Sequence, residues 1–318
     1  MSISRVSSQA LQVLAEHRRL EIHSVFESAV NVRAGRRLIN CSTGVISVPW
    51  GIEMTPVDLG RLRRHRDATV GDVLEWRSSD LAIVGPSNRV MIASTPQTVV
   101  FDPTLPPSES TGLSAAAREL TVYLIHTRAR TGFGSDWANL ASVLELADTV
   151  DALIAGVPDR RVLHWIGRGP GLTPSGDDIL VGMIAALWFV RVVDSGHLAS
   201  LRNLVEEIGC SLTTDISTEY LYCACNGWFS GAVRDLLVAL DQSDRRAALG
   251  AVGRLERCGH TSGIDCTLGI VTALNHVLGV GRRPRASDQA SVGSAARRTP
   301  SNVDARHPCL SLGPESCG

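Results

Sequence analysis

The pattern of hydrophobic and polar positions changes near residue 102. Before it, short apolar runs alternate with turns rich in Gly, Pro and Ser, and this pattern is typical of β-strands. It predicts six strands, at residues 24–32, 37–41, 45–48, 80–84, 89–93 and 97–101. Because no long helical segment separates these strands, we expect a small antiparallel sheet or a barrel-like domain.

After residue 113 the apolar positions recur at the spacing of one helix face. Leu140, Val143, Leu144 and Ala147, for example, would lie on one side of a helix over residues 135–154. Further helices are predicted at residues 114–130, 177–193, 197–211, 216–225, 230–240, 243–258 and 264–278. The pattern therefore indicates an α+β protein in which a small antiparallel β-sheet domain precedes a mainly α-helical domain.

Composition along the chain predicts the domain boundaries. Residues 1–21 have the pattern of an N-terminal amphipathic helix, and the proline-rich stretch at 102–113 is typical of a linker. We therefore expect a β-rich domain over residues 22–101 and a helical domain over residues 114–281. Residues 282–318 are rich in Arg, Ser, Ala and Pro without periodicity, which predicts a disordered tail.

Overall composition and charge exclude several classes of protein. The 318 residues contain 31 Lys and Arg against 32 Asp and Glu, so the chain lacks the basic surface of a general nucleic-acid binder. All 31 basic residues are arginines, which excludes a lysine Schiff base and a P-loop lysine. No signal peptide is evident, and the longest apolar stretch, at 179–190, is too short to span a bilayer. We expect a cytoplasmic protein that binds neither nucleic acid nor membrane.

The strongest local motif is a glycine-rich loop that precedes the helix at 177–193. Its residues are Gly167, Gly169 and Gly171, followed by Thr173, Ser175, Gly176, Asp177 and Asp178. Such a loop brings backbone N–H groups and the partial positive charge of a helix N-terminus close to a ligand, which suits a phosphate or a carboxylate. The alternative is helix capping, with Ser175 as the N-cap and Asp177 and Asp178 in the first turn.

A second segment repeats this motif 87 residues later. The matching positions are Ser175, Gly176, Asp178, Gly182 and Ala186 in the first segment and Ser262, Gly263, Asp265, Gly269 and Ala273 in the second. The small residues four apart would let the two helices pack closely. We therefore expect the helices side by side, with N-termini that converge on one pocket. The alternative is a coincidence between two buried helices that both need caps.

Three side chains near these N-termini are candidates for catalysis. Histidine ordinarily titrates near neutral pH, so His260 could act as a general acid or base, although a lone histidine is more often structural. Asp178 and Asp265 would face each other and could transfer a proton, hold an amide or bind magnesium. The candidate ligand-binding residues are Gly169, Gly171, Thr173, Ser175, Gly176, Asp177, Thr261, Ser262 and Gly263. N–H groups suit an anion and carboxylates suit an amide, so an amide-bearing acid fits both.

The cysteines predict no metal site. The eight cysteines include no C-x-x-C pair, and in a reducing compartment they are expected to be small buried residues. Cys223 and Cys225 could be combined with Cys258 and His260. However, positions i and i+2 of a helix point to different sides, whereas zinc ligands must converge.

The two motifs resemble the signatures of a known family. Residues 169–178, GPGLTPSGDD, and residues 259–265, GHTSGID, are similar to those of a bacterial domain-of-unknown-function family that includes the AllH-type subunit of oxamate carbamoyltransferase. The resemblance covers about residues 22–278 and includes His23-Ser24-Val25-Phe26. It implies carbamoyl transfer between oxamate and phosphate, with carbamoyl phosphate as one product, in anaerobic allantoin degradation. It also implies a hetero-oligomer with an acyl-CoA-synthetase-like subunit.

The chain also differs from ordinary carbamoyltransferases, because it lacks their Ser-Thr-Arg-Thr loop for carbamoyl phosphate. One hypothesis is an oxamate-carbamoyltransferase-like enzyme subunit in which Asp178, Asp265 and His260 handle the amide or a proton. The alternatives are a non-catalytic module that binds a small carboxylate or phosphate, and a subunit that serves assembly alone.

Overall fold

The computed structural model describes residues 1–44, 47–65, 68–77, 82–85, 90–134, 144–257 and 259–279. Within these ranges one curled half-barrel sheet contains β1 (Arg5–Ser7), β2 (Arg19–Val25), β3 (Ala29–Ala34), β4 (Arg37–Ser42), β5 (Gly51–Glu53), β6 (Val73–Arg77), β7 (Ala82–Val84), β8 (Val90–Ala93) and β9 (Val99–Phe101). The strand order is β8-β7-β6-β2-β3-β4-β5-β1-β9. Neighbouring strands are antiparallel except for the parallel pairs β4–β5 and β1–β9. The predicted N-terminal, barrel-like sheet is confirmed.

The predicted strand at residues 24–32 is in fact two strands joined by a tight turn. β2 ends at Val25 and β3 begins at Ala29, and the Phe26 N–H donates to the Ala29 carbonyl oxygen at 2.7 Å. This turn contains neither Gly nor Pro. The hydrophobic pattern therefore gave no sign of a break.

The N-terminal helix is shorter than predicted. The Ser7 hydroxyl accepts from the N–H groups of Gln9 and Ala10, so helix α1 covers only Ser8–Glu16, and β1 precedes it. β5 and β6 were not predicted, because β5 has only three residues and β6 carries Glu and Arg among its apolar residues. Residues 45 and 46 of the predicted strand at 45–48 lie outside the described residues, as do residues 80, 81 and 89 of two others.

The chain after residue 112 is mainly helical, as predicted. Its helices are α3 (Leu113–His126), α4 (Leu144–Ile154), α5 (Arg160–Leu163), α6 (Ser175–Phe189), α7 (Ala199–Leu212), α8 (Asp215–Cys225), α9 (Gly231–Asp241), α10 (Arg245–Glu256) and α11 (Ser262–Val277). The short helices α2 (Pro56–Arg63) and α5 were not predicted. Predicted helical residues 135–143 and 258, and the predicted tail at 282–318, lie outside the described residues. Across the described ranges, no helix is both long and apolar enough to cross a membrane.

Helix α6 forms the centre of the helical core. Every residue from Ser175 to Phe189 is buried except Trp188, which is partly exposed. A helix that is apolar on all sides must be surrounded by other elements, and α6 packs against α8 and most extensively against α11. The signature motifs thus begin the two helices that pack together in the core.

The sheet meets the helical core through a small cluster of apolar side chains. Leu38 of β4 and Trp50 pack with Cys223 of α8. The Trp50 and Tyr220 rings are edge to face, with centroids 4.4 Å apart. Asn31 of β3 and Asn40 of β4 line one pocket together with Asp178 and Ser262, so these strands lie close to the N-terminal ends of α6 and α11.

Candidate functional site

Helices α6 and α11 approach each other through two glycines. A Cβ atom on Gly182 would collide with the carbonyl oxygen of Cys266, and a Cβ atom on Gly269 would collide with the carbonyl oxygen of Ile179. The two backbones therefore come closer than any side chain allows, and the predicted close packing of these helices is confirmed.

Hydrogen bonds cross between the N-termini of the two helices. Ser175 is the first residue of α6, and its hydroxyl donates to Asp265, the fourth residue of α11. Reciprocally, Ser262 is the first residue of α11, and its hydroxyl donates to Asp178, the fourth residue of α6. The N-cap of α6 is Pro174, without a side-chain cap. The alternative in which Ser175 caps its own helix is therefore wrong, since its hydroxyl serves the other helix.

Asp265 is fully buried behind this junction. Burial raises the pKa of its carboxyl group to about 6, although hydrogen bonds from Ser175, the Gly132 N–H and Thr261 lower it. The Gly132 nitrogen is 3.2 Å from each carboxyl oxygen. Three donors therefore surround this carboxylate.

Asp178 is also buried, with only 9% of its surface exposed, but its surroundings differ from those of Asp265. Burial raises its pKa well above the usual range, and the nearby charges of Asp265 and Asp177 raise it further, against hydrogen bonds from Ser262 and Thr173. Its Oδ2 atom is buried and has no hydrogen-bond partner within the described part of the chain. A buried carboxyl oxygen without a donor is costly, so this atom is suited to a ligand.

Gly132 is a site residue that the sequence analysis missed. A Cβ atom there would collide with the Ser175 hydroxyl and would lie 2.8 Å from Thr261 Oγ1. Only glycine fits between these hydroxyls while its N–H reaches Asp265. The single residue Gly132 has no spacing relation to either motif, so no sequence pattern identifies it.

A pocket of about 450 Å³ opens between the sheet and the two N-termini. Its sheet wall includes Asn31 and Asn40, and its helix wall includes Asp178 and Ser262. Among the described residues that line it, Arg257, just after α10, is the one with a positive charge. Apolar side chains complete the lining, among them Trp50, Val181, Ile216 and Tyr220. The pocket thus combines a carboxyl group, a guanidinium group, two amides and an apolar wall.

The structure brings only some of the predicted ligand-binding residues to this pocket. Thr173, Ser262 and Gly263 line it with Asp178, and Thr173 Oγ1 is 2.6 Å from Ser262 Oγ. Ser175 and Thr261 lie behind it, where their hydroxyls bind Asp265. These hydroxyls therefore position a carboxylate and do not line the pocket.

Asp177 holds the glycine-rich loop against a neighbouring helix. Its carboxylate accepts from the Gly167 N–H at 2.8 Å and from the Thr213 hydroxyl just before α8. Burial raises the pKa of Asp177, against hydrogen bonds from the Thr213 hydroxyl and the Gly167 N–H. The side chain is almost fully buried and is not part of the pocket lining.

The glycines of the motifs serve backbone geometry. A Cβ atom on Gly176 would collide with the Trp165 carbonyl oxygen, and one on Gly263 would collide with that of Leu255. Gly169 and Gly171 are exposed and have φ of +113° and +99°, a conformation that favours glycine. The Gly176 N–H donates to the Arg168 carbonyl oxygen at 2.9 Å. That N–H is therefore already used within the loop.

His260 lies apart from this arrangement. Its side chain is exposed, and the pocket is lined by its neighbours Gly259 and Ser262 but not by His260 itself. A catalytic role for His260 stays a prediction that the pocket geometry does not support.

The described residues contain no group of three or more His, Cys, Asp and Glu side chains that could hold a metal ion. Cys223 and Cys225 are buried in α8, and Cys258 lies outside the described residues. For magnesium, Asp178 and Asp265 would offer two carboxylates, and Asp265 already accepts from three donors. A magnesium site at this position stays a prediction.

One family comparison gives a match. Residues 165–274 match the family model described as oxamate carbamoyltransferase subunit AllH. The match includes both motifs and Arg257, and it confirms the resemblance over this range. Asn31 and Asn40, which line the pocket from the sheet, lie outside the matched residues. No solved structure matches the chain.

Proposed function

We propose that this chain is a subunit of an oxamate-carbamoyltransferase-type enzyme and that its pocket binds the acid that carries the carbamoyl group. The observation that carries the proposal is the buried Asp178 carboxyl group, which has one oxygen without a donor in a pocket that also contains Arg257. An amide N–H can supply that donor, and a guanidinium group pairs with a carboxylate or a phosphate. An amide-bearing acid therefore matches both ends of the pocket.

The environment of Asp178 suits a proton transfer that the reaction requires. A phosphate oxygen attacks the carbamoyl carbon of oxalurate, the new C–O bond forms, and the C–N bond to the oxamate nitrogen breaks. That nitrogen leaves with an electron pair and must gain the proton that the phosphate loses. Burial raises the pKa of Asp178 and so favours its protonated form, which can transfer a proton to the nitrogen. In the reverse direction the carboxylate removes the same proton.

Neighbouring residues support this role without reacting themselves. The Ser262 hydroxyl donates to Asp178 and accepts from the Thr173 hydroxyl 2.6 Å away, which fixes the orientation of the carboxyl group. The negative charge of Asp265 lies close enough to raise the Asp178 pKa further. Trp50 and Tyr220 form an apolar wall that limits the access of water to carbamoyl phosphate.

The proposal includes protein partners, because the matched family is named as a subunit. We propose a hetero-oligomer with an acyl-CoA-synthetase-like chain. Affinity purification of the tagged chain from its own host, followed by mass spectrometry, tests this directly. We expect such a chain in stoichiometric amount, whereas recovery of the protein alone would contradict the assembly.

The decisive experiment measures turnover of oxalurate and phosphate by the purified complex with Asp178→Asn. We expect turnover to fall by roughly a hundredfold or more, because asparagine cannot transfer the proton. The control is Asp235→Asn, an exposed carboxylate of α9 outside the pocket lining, which should leave turnover unchanged. Normal turnover by Asp178→Asn would overturn the catalytic role. If that variant still binds oxamate, the chain would be a binding module and the chemistry would belong to another subunit.

A further inference from the structure

A chain of hydrogen-bonded side chains runs from the pocket wall to the start of α8. Asn40 Nδ2 is 2.8 Å from Asn31 Oδ1, and Asn31 Nδ2 is 3.0 Å from Ser24 Oγ. Ser24 Oγ is 3.1 Å from His23 Nδ1, and His23 Nε2 is 3.0 Å from Asp215 Oδ2. Asn31 and Asn40 line the pocket, so the chain links the pocket to a carboxylate far along the sequence.

An irregularity in β2 makes this chain possible. Neighbouring residues of a regular strand point to opposite faces of the sheet, so His23 and Ser24 would not normally meet. The register between β2 and β3 shifts between Ile22 and Ser24. Such a bulge redirects side chains, and the Ser24 hydroxyl lies beside the His23 ring.

Asp215 and a neutral His23 ring together fix the direction of every hydrogen bond in the chain. Partial burial would raise the pKa of its carboxyl group, but hydrogen bonds from Cys210, Arg33 and His23 lower it to about 2. Asp215 is therefore an ionised carboxylate that can only accept. With a neutral ring, His23 must carry its proton on Nε2 and accept on Nδ1.

The remaining donors follow in order. Because His23 Nδ1 accepts, the Ser24 hydroxyl must donate to it and accept from Asn31 Nδ2. The oxygen of Asn31 then accepts from Asn40 Nδ2. The Asn40 amide is thus held in one orientation, with its Oδ1 atom left over. That atom is buried and has no hydrogen-bond partner in the described ranges.

We infer that Asn40 Oδ1 accepts a hydrogen bond from the –NH₂ group of the ligand and so makes the pocket select a carbamoyl or primary-amide group over a carboxylate. The inference rests on the proposed function, since it names the group that the same pocket recognises. Asn40 is the specificity-determining residue, and Ser24, His23 and Asn31 are positioning residues that hold its amide.

The selectivity follows because two ligands of similar shape differ in the free energy with which they bind beside Asn40. Oxamate and oxalate have nearly the same shape, but oxalate replaces the –NH₂ group with a carboxylate oxygen. An N–H group satisfies the Asn40 oxygen, whereas a carboxylate oxygen repels it and leaves it unpaired. A site that forms a hydrogen bond with a substrate group strongly rejects an analogue that lacks this group.

The test compares the dissociation constants of oxamate and oxalate by calorimetry on the full chain. We expect the wild type to prefer oxamate by about tenfold or more. Asn40→Leu, which is similar in size, should bring the two constants within about threefold. Ser24→Ala should also reduce the preference, because it interrupts the chain that orients the amide. If Ser24 had a merely structural role, Ser24→Ala would weaken the binding of both ligands equally.

The matched control is Asn275→Leu in α11. Asn275 Oδ1 is also buried without a partner in the described residues, but Asn275 does not line the pocket. This variant should keep the wild-type preference. An unchanged preference in folded Asn40→Leu would overturn the inference and leave the proposed function intact. A wild type that binds neither acid would overturn the proposed function, and the inference with it.

Discussion

Asp178 and Asp265 occupy the same position in α6 and α11, yet only Asp178 keeps a buried oxygen without a donor among the described residues. Each accepts from the first serine of the other helix. The difference is Gly132, whose N–H reaches Asp265 from the 131–134 segment, whereas the pocket lies beside Asp178. The backbone thus supplies an N–H donor to Asp265, whereas a ligand would supply the corresponding donor to Asp178.

This difference predicts unequal costs for two equivalent substitutions. At pH 7.5, Asp265→Asn should lower the free energy of unfolding by about 2 kcal/mol, because the new amide hydrogens face the donors that surround the carboxylate. Asp178→Asn should cost less than about 1 kcal/mol, because one oxygen of this carboxyl group already lacks a hydrogen-bond partner in the described part of the chain. Urea denaturation of both variants measures the difference. Equal losses would show that the two sites are equivalent.

The glycines at the crossing of α6 and α11 predict a packing effect. Gly182→Ala and Gly269→Ala place a methyl group against a carbonyl oxygen of the other helix, so the helices must separate. Each should cost about 3 kcal/mol, as overpacking in a core does, and lower the melting temperature. The control is Gly250→Ala in α10, where the site is exposed and a Cβ atom would only make an ordinary contact with Arg254 Nη1 at 3.9 Å.

At Gly250 alanine should instead raise the free energy of unfolding by up to about 1 kcal/mol, because it favours helix more than glycine does. Thermal unfolding of the three variants therefore separates a steric clash from a general effect of alanine. A tolerated Gly182→Ala would contradict the close approach of the two helices.

The helix pair and its junction could be predicted from the sequence because close backbone approach requires glycine. Gly182 and Gly269 therefore appear as a repeat, together with the serines and aspartates that bind across it. The same repeat could not distinguish a capping serine from one that bonds to the other helix. Both use serine at the start of a helix, and only the packing decides.

The sheet side of the pocket could not be predicted in this way. His23 and Asp215 are 192 positions apart, and Gly132 and Asp265 are 133 apart. Each is a single residue without a spacing relation to its partner. The first contact depends on how the sheet packs against the helices, and the second depends on how the 131–134 segment packs against α11. Local sequence patterns encode neither.

Glu219 of α8 predicts how stability depends on pH. Its side chain is buried against β4, accepts from the Leu38 N–H at 3.1 Å and lies 3.8 Å from Arg37 Nη1. Burial raises its pKa from 4.5 to about 7, although Arg37 and the Leu38 N–H lower it. The folded protein thus binds this proton more tightly than the unfolded chain does.

The sign of the effect follows from that difference. The stabilising contribution of protonated Glu219 is fully present below pH 4.5 and is lost as pH rises through about 7. The shift corresponds to at most about 3 kcal/mol between these limits. The pKa of Asp265 is raised from 3.8 to about 6, so this group adds a further loss of unfolding free energy that begins at lower pH.

Glu219→Gln should therefore flatten the fall in unfolding free energy between pH 4.5 and 7, while the part due to Asp265 remains. Urea denaturation at half-unit pH intervals measures this slope. The control is Glu207→Gln, an exposed glutamate of α7, which should leave the slope as it is in the wild type. The slope is the deciding quantity, since the variant also removes a partner of Arg37 and lowers stability at every pH. An unchanged slope in Glu219→Gln would show that this carboxyl group titrates alike in the folded and unfolded chains.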